Sequence, residues 1–449
     1  MNKVRIFFYS GHGEVVGGDA RYVFDLINNL NSDKYETQLF TDKNYLFKKR
    51  AQQWLKKDIP IHYLDTRPIL FKKNLIQKLS NTIETYRGKN KLIGLARTIL
   101  NTDFLLEHTI YQWLNYIYYR IVEIITLAKL RYTIHNALLF YGLLKNKKQE
   151  IDIFHFNNGG YPAKEAVLIA IMVAYFVGIR NIVMTTHSVA QPKKWYNLLD
   201  YIFDCFIPKF CKTVIMPSQN LRIEFNKRRK FSLDIITAIP LGLNDIKELL
   251  SANAILKKKK ELGLDPDQPI LMIVGALYGT SKGHYVLLEA FAKVKKQFPQ
   301  AVLLVVGDGK GRLDLERRAN KLKIGSCIKF LGYRQDINEL NSIIDIAVVP
   351  SIGYEAIPYA IREALRDGKA VITTDAGGCA EAVKHGVNGL VVRQNDSDDL
   401  AQAIIKLLEN KETIKKMGEQ GRKIFEKKFL LSAEINKHEH IYSNMLDAS

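Results

Sequence analysis

The chain has 449 residues, 66 Lys plus Arg against 46 Asp plus Glu, and a formal net charge of +20. That length exceeds a single ordinary core; 47% hydrophobic residues with 22 Tyr and 21 Phe exclude global disorder, and 12 Pro with 28 Gly exclude a fibrous or low-complexity chain. Four cysteines without a Cys-x-x-Cys pair exclude a disulfide scaffold and favour a reducing compartment.

A buried-strand pattern over residues 4–9 runs into Gly11, Gly13, Gly17 and Gly18, followed by a helical stretch over about 19–30. Strand, glycine loop and helix open an α/β nucleotide-binding-like unit. Further strands are predicted at 36–40, 151–156, 182–186, 214–216 and 235–239, with a helix near 163–177. Between them lies an unusual stretch, about 67–150, that interrupts the pattern. Residues 43–150 carry 20 Lys plus Arg and 7 Asp plus Glu, a net of +13, so most of the charge sits in one subregion. Its stretch 110–130 interleaves Trp113, Tyr116, Tyr118, Tyr119, Arg120 and Lys129 with aliphatics. That composition suits an interfacial surface; helices packed on one another with snorkelling lysines at their edges are the alternative.

Pro240-Leu241-Gly242 ends the first half, and a lysine-rich stretch at 257–260 leads to Gly263, Pro266 and Pro269. A linker is predicted at 245–268, with the lysine run as a solvated helix face. Strands follow at 270–274, 301–306, 328–331, 346–349 and 370–373, with helices near 284–296, 312–323, 336–342, 359–366, 381–385, 397–409 and 411–428. The right-handed crossover rule makes these one open parallel sheet. The expected domains are 1–245, carrying the basic helical insert, then 246–430, and a terminal helix over 431–449 that packs back toward the first. The two α/β domains face each other across a cleft at the carboxyl ends of their strands.

Three loops of the second half carry the candidate chemistry. In the segment from Pro350 to Gly368, Glu355 lies after a strand and Glu363 eight positions on, inside a helix. A carboxylate beside apolar Ala364 and Leu365 is costly unless it has partners, which a hydroxyl-rich ligand supplies; two solvated carboxylates are the bland reading. Gly377-Gly378, before Cys379 and Glu381, forms a turn whose amides could face anionic oxygens. The loop from Gly275 to His284 places Lys282 where it could meet a diphosphate, although it lacks the phosphate-loop spacing. In the first half, Gly17-Gly18 precede a helix and His187 follows a strand, each at a position facing the cleft. No histidine or cysteine spacing suits a metal.

At these residues the chain resembles the retaining glycosyltransferases of family 4, which adopt the GT-B fold. The resemblance covers nearly the whole chain apart from about 43–150. It is carried by Glu355 and Glu363 in a Glu-x7-Glu motif, by Ala364, Gly368, Asp375, Gly377, Gly378 and Glu381, and by Lys282-Gly283, Gly307, Gly309 and Pro350-Ser351. Gly17-Gly18, His187, Ser218 and Ile239-Pro240-Leu241-Gly242 match in the first half. It implies a UDP-sugar or GDP-sugar donor, with no cofactor or bound metal, and transfer with retention. Glu363 would bind the ribose hydroxyls, Lys282 the diphosphate, and Glu355 and His187 the donor sugar. Gly17, Gly18, Gly377, Gly378 and Glu381 would complete the donor site. Two departures stand out: Ala276 replaces an arginine, and Ala356-Ile357-Pro358 replaces Gly-Phe-Gly.

The start of the chain does not read as an export signal, and the longest apolar runs fall short of the ~20 residues that cross a bilayer. The resulting expectation is a cytoplasmic enzyme, peripheral on the inner face of the membrane, with a glycan or lipid-linked acceptor and an anionic membrane surface as partners. A soluble GT-B enzyme acting on a small sugar or metabolite, and a non-catalytic carbohydrate-binding relative, are the alternatives. Nucleic-acid binding is not expected, since no nucleic-acid module is present.

Overall fold

The computed structural model describes residues 3–11, 18–66, 128–162, 164–193, 198–245 and 250–447. Gly17 and residues 67–127, which include most of the basic aromatic insert, lie outside them.

The first sheet contains β1 (Val4–Ser10), β2 (Tyr35–Asp42), β3 (Ile61–Leu64), β4 (Ile153–Asn158), β5 (Ile182–Thr186), β6 (Thr213–Met216) and β7 (Ile236–Ala238). Its order is β3-β2-β1-β4-β5-β6-β7, and every pairing is parallel. Helices α1 (Gly18–Asn29), α2 (Tyr45–Trp54), α3 (Ala128–Lys147), α4 (Glu165–Phe176), α5 (Leu198–Phe210) and α6 (Gln219–Arg229) accompany it. The near-continuous apolar strands are covered on both faces. Phe7, Phe154, Val167 and Phe203 belong to one core, and Ile6, Phe8, Val23 and Ile27 to the other.

The second sheet contains β8 (Ile270–Val274), β9 (Val302–Val306), β10 (Ile328–Gly332), β11 (Ile346–Val349), β12 (Ala370–Thr374) and β13 (Gly389–Val392), ordered β10-β9-β8-β11-β12-β13. It too is parallel throughout. With it go α7 (Ala252–Glu261), α8 (His284–Val294), α9 (Arg312–Lys321), α10 (Ile337–Ile343), α11 (Tyr359–Arg366), α12 (Cys379–Ala382), α13 (Ser397–Leu408) and α14 (Lys411–Lys428). Both sheets are doubly wound, and in each the order reverses beside the first strand. The loops after β1 and β4, and after β8 and β11, therefore diverge and leave a crevice.

The lysine run expected to be a solvated helix face is corrected at one residue. It does lie on a helix, α7, but the Lys258 side chain is largely withdrawn from solvent and donates to Asp336 and Glu339, each at 2.6 Å. Sequence spacing carries no sign of acids some eighty positions away.

The chain returns to the first domain through α15 (Leu431–Asp447). Leu431, Ile435, Tyr442 and Met445 join the core beneath β1 and α1. A buried chain of hydrogen bonds runs across the same contact. His438 Nδ1 lies 2.9 Å from the Glu434 carbonyl, which can only accept, so Nδ1 carries the proton and Nε2 accepts from Tyr22 at 2.8 Å. Thr185 must then donate to the Tyr22 oxygen at 3.0 Å, His155 Nε2 to Thr185 at 2.7 Å, and Tyr442 to His155 Nδ1 at 2.6 Å. Every donor in the chain is matched in one direction, which keeps these buried polar groups from being a cost.

Glu434 itself is buried and accepts from the Gly242 N–H at 2.5 Å. Burial pushes its carboxyl up to about 8, against an ordinary 4.5. The folded protein thus holds a proton that the unfolded chain releases above 4.5, and the associated stability is lost as pH rises toward 8. His438 is driven by burial down to about 4, so its contribution is instead lost as pH falls below 6.5. Glu434→Gln retains an oxygen for Gly242 and has no proton to release. Thermal unfolding across roughly pH 5 to 9 should show the wild-type midpoint falling relative to the variant as pH rises. A pH-independent difference would show that Glu434 does not titrate in this range.

Candidate active site

The loop after β8 is tied to that after β9 through Leu277 N–H to the Asp308 carbonyl, 3.0 Å, and Gly311 N–H to the Leu277 carbonyl, 2.8 Å. It then meets the loop after β11, where Ile352 N–H donates to the Ser281 carbonyl at 2.7 Å. Gly283 makes this approach possible: at φ +72°, a Cβ would stand 1.8 Å from the Pro350 carbonyl oxygen. These contacts bring Lys282 Nζ to 2.5 Å from Glu355 Oε1 at the crevice of the sheet. Both side chains are partly exposed, at 33% and 19%, so a ligand can reach them.

The turn after β12 closes on the same loop. Gly378 N–H donates to the Glu355 carbonyl at 2.8 Å. Gly377, at φ +53°, leaves room for that oxygen, since a Cβ would lie 2.3 Å from it. The Gly378 amide, read in the sequence as available to an anion, therefore organises the Glu355 backbone. Thr374 Oγ1 donates to the Ser351 carbonyl at 2.6 Å from the preceding strand end. Pro358 sits immediately before α11 with φ −57°, an orientation that suits a helix start and costs no hydrogen bond there. Glu363 lies on that helix and faces the first domain.

From the first domain, His187 follows β5, and its Nε2 is 2.7 Å from Asn157 Oδ1. An amide oxygen only accepts, so Nε2 carries the proton. Asn157 is itself oriented by donation to Ser10 Oγ at 2.8 Å, and the Tyr22 ring packs edge-on against the imidazole at 4.9 Å. Gly18 opens α1. Neither Asn157 nor Ser10 was singled out in the sequence; their position at the ends of β4 and β1, on the topological switch point, was the available signal.

The two domains meet through charged groups of these same loops. Glu381 accepts from the N–H groups of Gln219 at 3.0 Å and Asn220 at 2.5 Å, capping α6 from the opposite domain. Ser218 caps the same helix through Leu221 N–H at 3.2 Å. Glu363 Oε1 lies 3.7 Å from Arg21 Nη1, and Arg228 lies over the Tyr354 ring at 4.9 Å. The structure thus joins Lys282, Glu355, Gly377 and Gly378 directly, with Glu363 and Glu381 on neighbouring helices that contact the first domain. His187 hydrogen-bonds within its own domain, to Asn157.

Two facing doubly wound domains with their strand ends toward a common cleft define the GT-B fold. HepE of Anabaena, solved with UDP, superposes with a TM-score of 0.73 at 19% identity, covering 98% of this chain and 99% of that one. Residues 255–424 match the model of the family described as glycosyl transferases group 1. Among relatives, the N-acetyl-alpha-D-glucosaminyl L-malate synthase of Bacillus anthracis is 27% identical over 51% of this chain and 64% of its own length. The UDP-Gal:alpha-D-GlcNAc-diphosphoundecaprenol alpha-1,3-galactosyltransferase of Escherichia coli is 25% identical over 69% of this chain and 79% of its own. The chain therefore spans less than two thirds of the length of the first of these relatives.

Replacing Gly377 with Ala combines a left-handed backbone with a clash against Glu355, and should destabilise the protein by about 1–3 kcal/mol. Chemical denaturation measures this, and a change within ±0.5 kcal/mol, roughly the scale of ordinary surface substitutions, would contradict the packing described.

Proposed function

We propose that the chain is a retaining glycosyltransferase that moves a sugar from a nucleoside-diphosphate sugar, UDP- or GDP-linked, to a lipid-linked or polysaccharide precursor at a membrane surface. The observation that carries the donor reading is the Lys282–Glu355 pair, held at the crevice by the Gly283 and Gly377-Gly378 turns. A cation and a carboxylate side by side can meet a diphosphate and sugar hydroxyls respectively.

In this reading Glu363 accepts the ribose hydroxyls, while Glu355 and His187 orient the donor sugar. The bond from the anomeric carbon to the diphosphate oxygen breaks, and the bond from that carbon to the acceptor oxygen forms on the same face. The acceptor proton passes to the departing diphosphate. Lys282 stabilises the negative charge that grows on the leaving oxygen, so the reaction as proposed needs no metal. Closure of the domains keeps water from competing as acceptor.

Membrane attachment is supported by α3, the described part of the basic insert. Leu130, Ile134, Leu138 and Tyr141 are all exposed and spaced to lie along one side of the helix. No acid interrupts residues 128–149, and Arg131, Lys145 and Lys148 are exposed beside the apolar stripe. Such a face suits an anionic lipid surface. Among the described residues no helix is long and apolar enough to cross a membrane. A second reading, transfer to a small soluble acceptor, is favoured by the similarity to the N-acetyl-alpha-D-glucosaminyl L-malate synthase.

Purified protein offered a panel of UDP- and GDP-sugars with glycan and lipid acceptors should release nucleoside diphosphate and form a product whose NMR shows a retained anomer. Glu363→Ala should raise the donor KM by about tenfold, and Lys282→Ala should lower kcat by roughly 10²–10³. Failure to bind any donor in the panel would sink the proposal.

Co-sedimentation with anionic vesicles tests the attachment. The wild type should pellet, and Ile134→Asp with Leu138→Asp should reduce binding by at least about tenfold. Unchanged activity and no sedimentation would favour the soluble-acceptor reading.

A further inference from the structure

Arg21 lies on α1, three residues after Gly18, and crosses the cleft. Its Nη1 is 3.7 Å from Glu363 Oε1, its Nε is 3.6 Å from Asp25 Oδ2, and its guanidinium lies 4.8 Å from the centre of the Tyr359 ring. Arg362, adjacent to Glu363, is fully buried and lies over the same ring at 4.0 Å, with Nη1 donating to the Leu241 carbonyl at 2.8 Å. Tyr359 is therefore shared by two guanidinium groups, one from each domain.

This arrangement has a purpose beyond holding α1 to α11. Two arginines close to one ring repel each other, and a carboxylate beside them offsets that repulsion. Asp25 on the same helix and Glu363 from the opposite domain, its side chain only 13% exposed, both supply carboxylates to Arg21. A forked, always-charged guanidinium also restricts the orientation of the acid that it faces. At 3.7 Å the pair is an ion pair outside direct hydrogen-bond distance, so the carboxylate oxygens can still accept from hydroxyl groups.

We propose that Arg21 is a positioning residue for the nucleotide. It holds the Glu363 carboxylate from the opposite domain, so that the grip on the ribose is completed only when the two domains meet. This rests on the reading that Glu363 binds the ribose. It assigns to the first domain a part in donor recognition through a residue that touches the second domain's acid, and it makes donor affinity depend on domain closure.

The test is a double-mutant cycle read by calorimetric titration of UDP and GDP, and of their 2′-deoxy counterparts, into wild type, Arg21→Ala, Glu363→Gln and the double variant. Arg21→Lys serves as a second variant that keeps the charge. Arg21→Ala should weaken binding of the preferred diphosphate by about five- to tenfold and reduce the preference for ribose over deoxyribose. In the Glu363→Gln background the same change should alter affinity by less than about twofold, because the acid through which it acts has lost its charge. Arg21→Lys should recover part of the loss.

Losses that multiply in the double variant would overturn the proposal, as would ribose discrimination that survives Arg21→Ala intact. A purely structural role for Arg21 predicts that multiplicative result together with a lowered thermal midpoint. If wild type binds neither diphosphate, the donor reading falls and this inference with it; if wild type binds and the cycle is multiplicative, only the role of Arg21 falls.

Discussion

Everything in the cleft depends on one place where two stretches of backbone cross between the domains. Leu243 N–H donates to the Phe429 carbonyl at 2.8 Å, Leu431 N–H to the Leu243 carbonyl at 2.9 Å, and Gly242 N–H to the buried Glu434 carboxyl at 2.5 Å. Gly242 admits this crossing because a Cβ would lie 2.5 Å from Leu431 Cα. The outgoing and returning segments thus form a short, tightly packed joint. Sites that stand at a distance from such a joint move together when it bends, which is how hinge closure assembles a site from two rigid halves.

Charged groups bridge the cleft. Glu381 adds to the local Ser218 cap on α6, and its negative charge lies where the helix macrodipole favours it. Arg21 and Glu363 meet across the same gap, and Arg228 lies over Tyr354. Each contact is strong enough to orient a side chain, yet each involves a group that water or a polar ligand can satisfy. Such an interface opens at less cost than a hydrophobic one of the same extent. It also becomes weaker as salt is added, since its charges are only partly withdrawn from solvent.

The fold class was legible because both sheets are built from apolar runs separated by glycine loops, and the order of strands and helices admits few topologies. What escaped was short or set by tertiary packing. The edge strands β3 and β13 are four residues each, and β13 begins with Gly389, a residue that weakens a strand pattern. The helix α5 contains Pro208, which argues against a helix on local grounds. In the site, Glu355 and Lys282 could be singled out as residues, but their pairing joins positions 73 apart. Arg21 and Asn157 acquire their significance only from partners in other elements. Pro358, part of a departure from the family pattern, is accommodated as the residue before a helix.

The terminal helix α15 supplies Leu431, Ile435, Tyr442 and Met445 to a core whose other members include Ile6, Phe8 and Val23, and it completes the directed hydrogen-bond chain through His155 and Tyr22. A ribosome makes the first of those two sets of residues long after the second. Domains generally fold in the order of their synthesis, but here the first domain has a face that stays uncovered until the second has been made. Apolar surface on β1 and α1 must therefore wait, exposed, through the translation of an entire domain. The first domain's core is thus completed only after the second domain has been made.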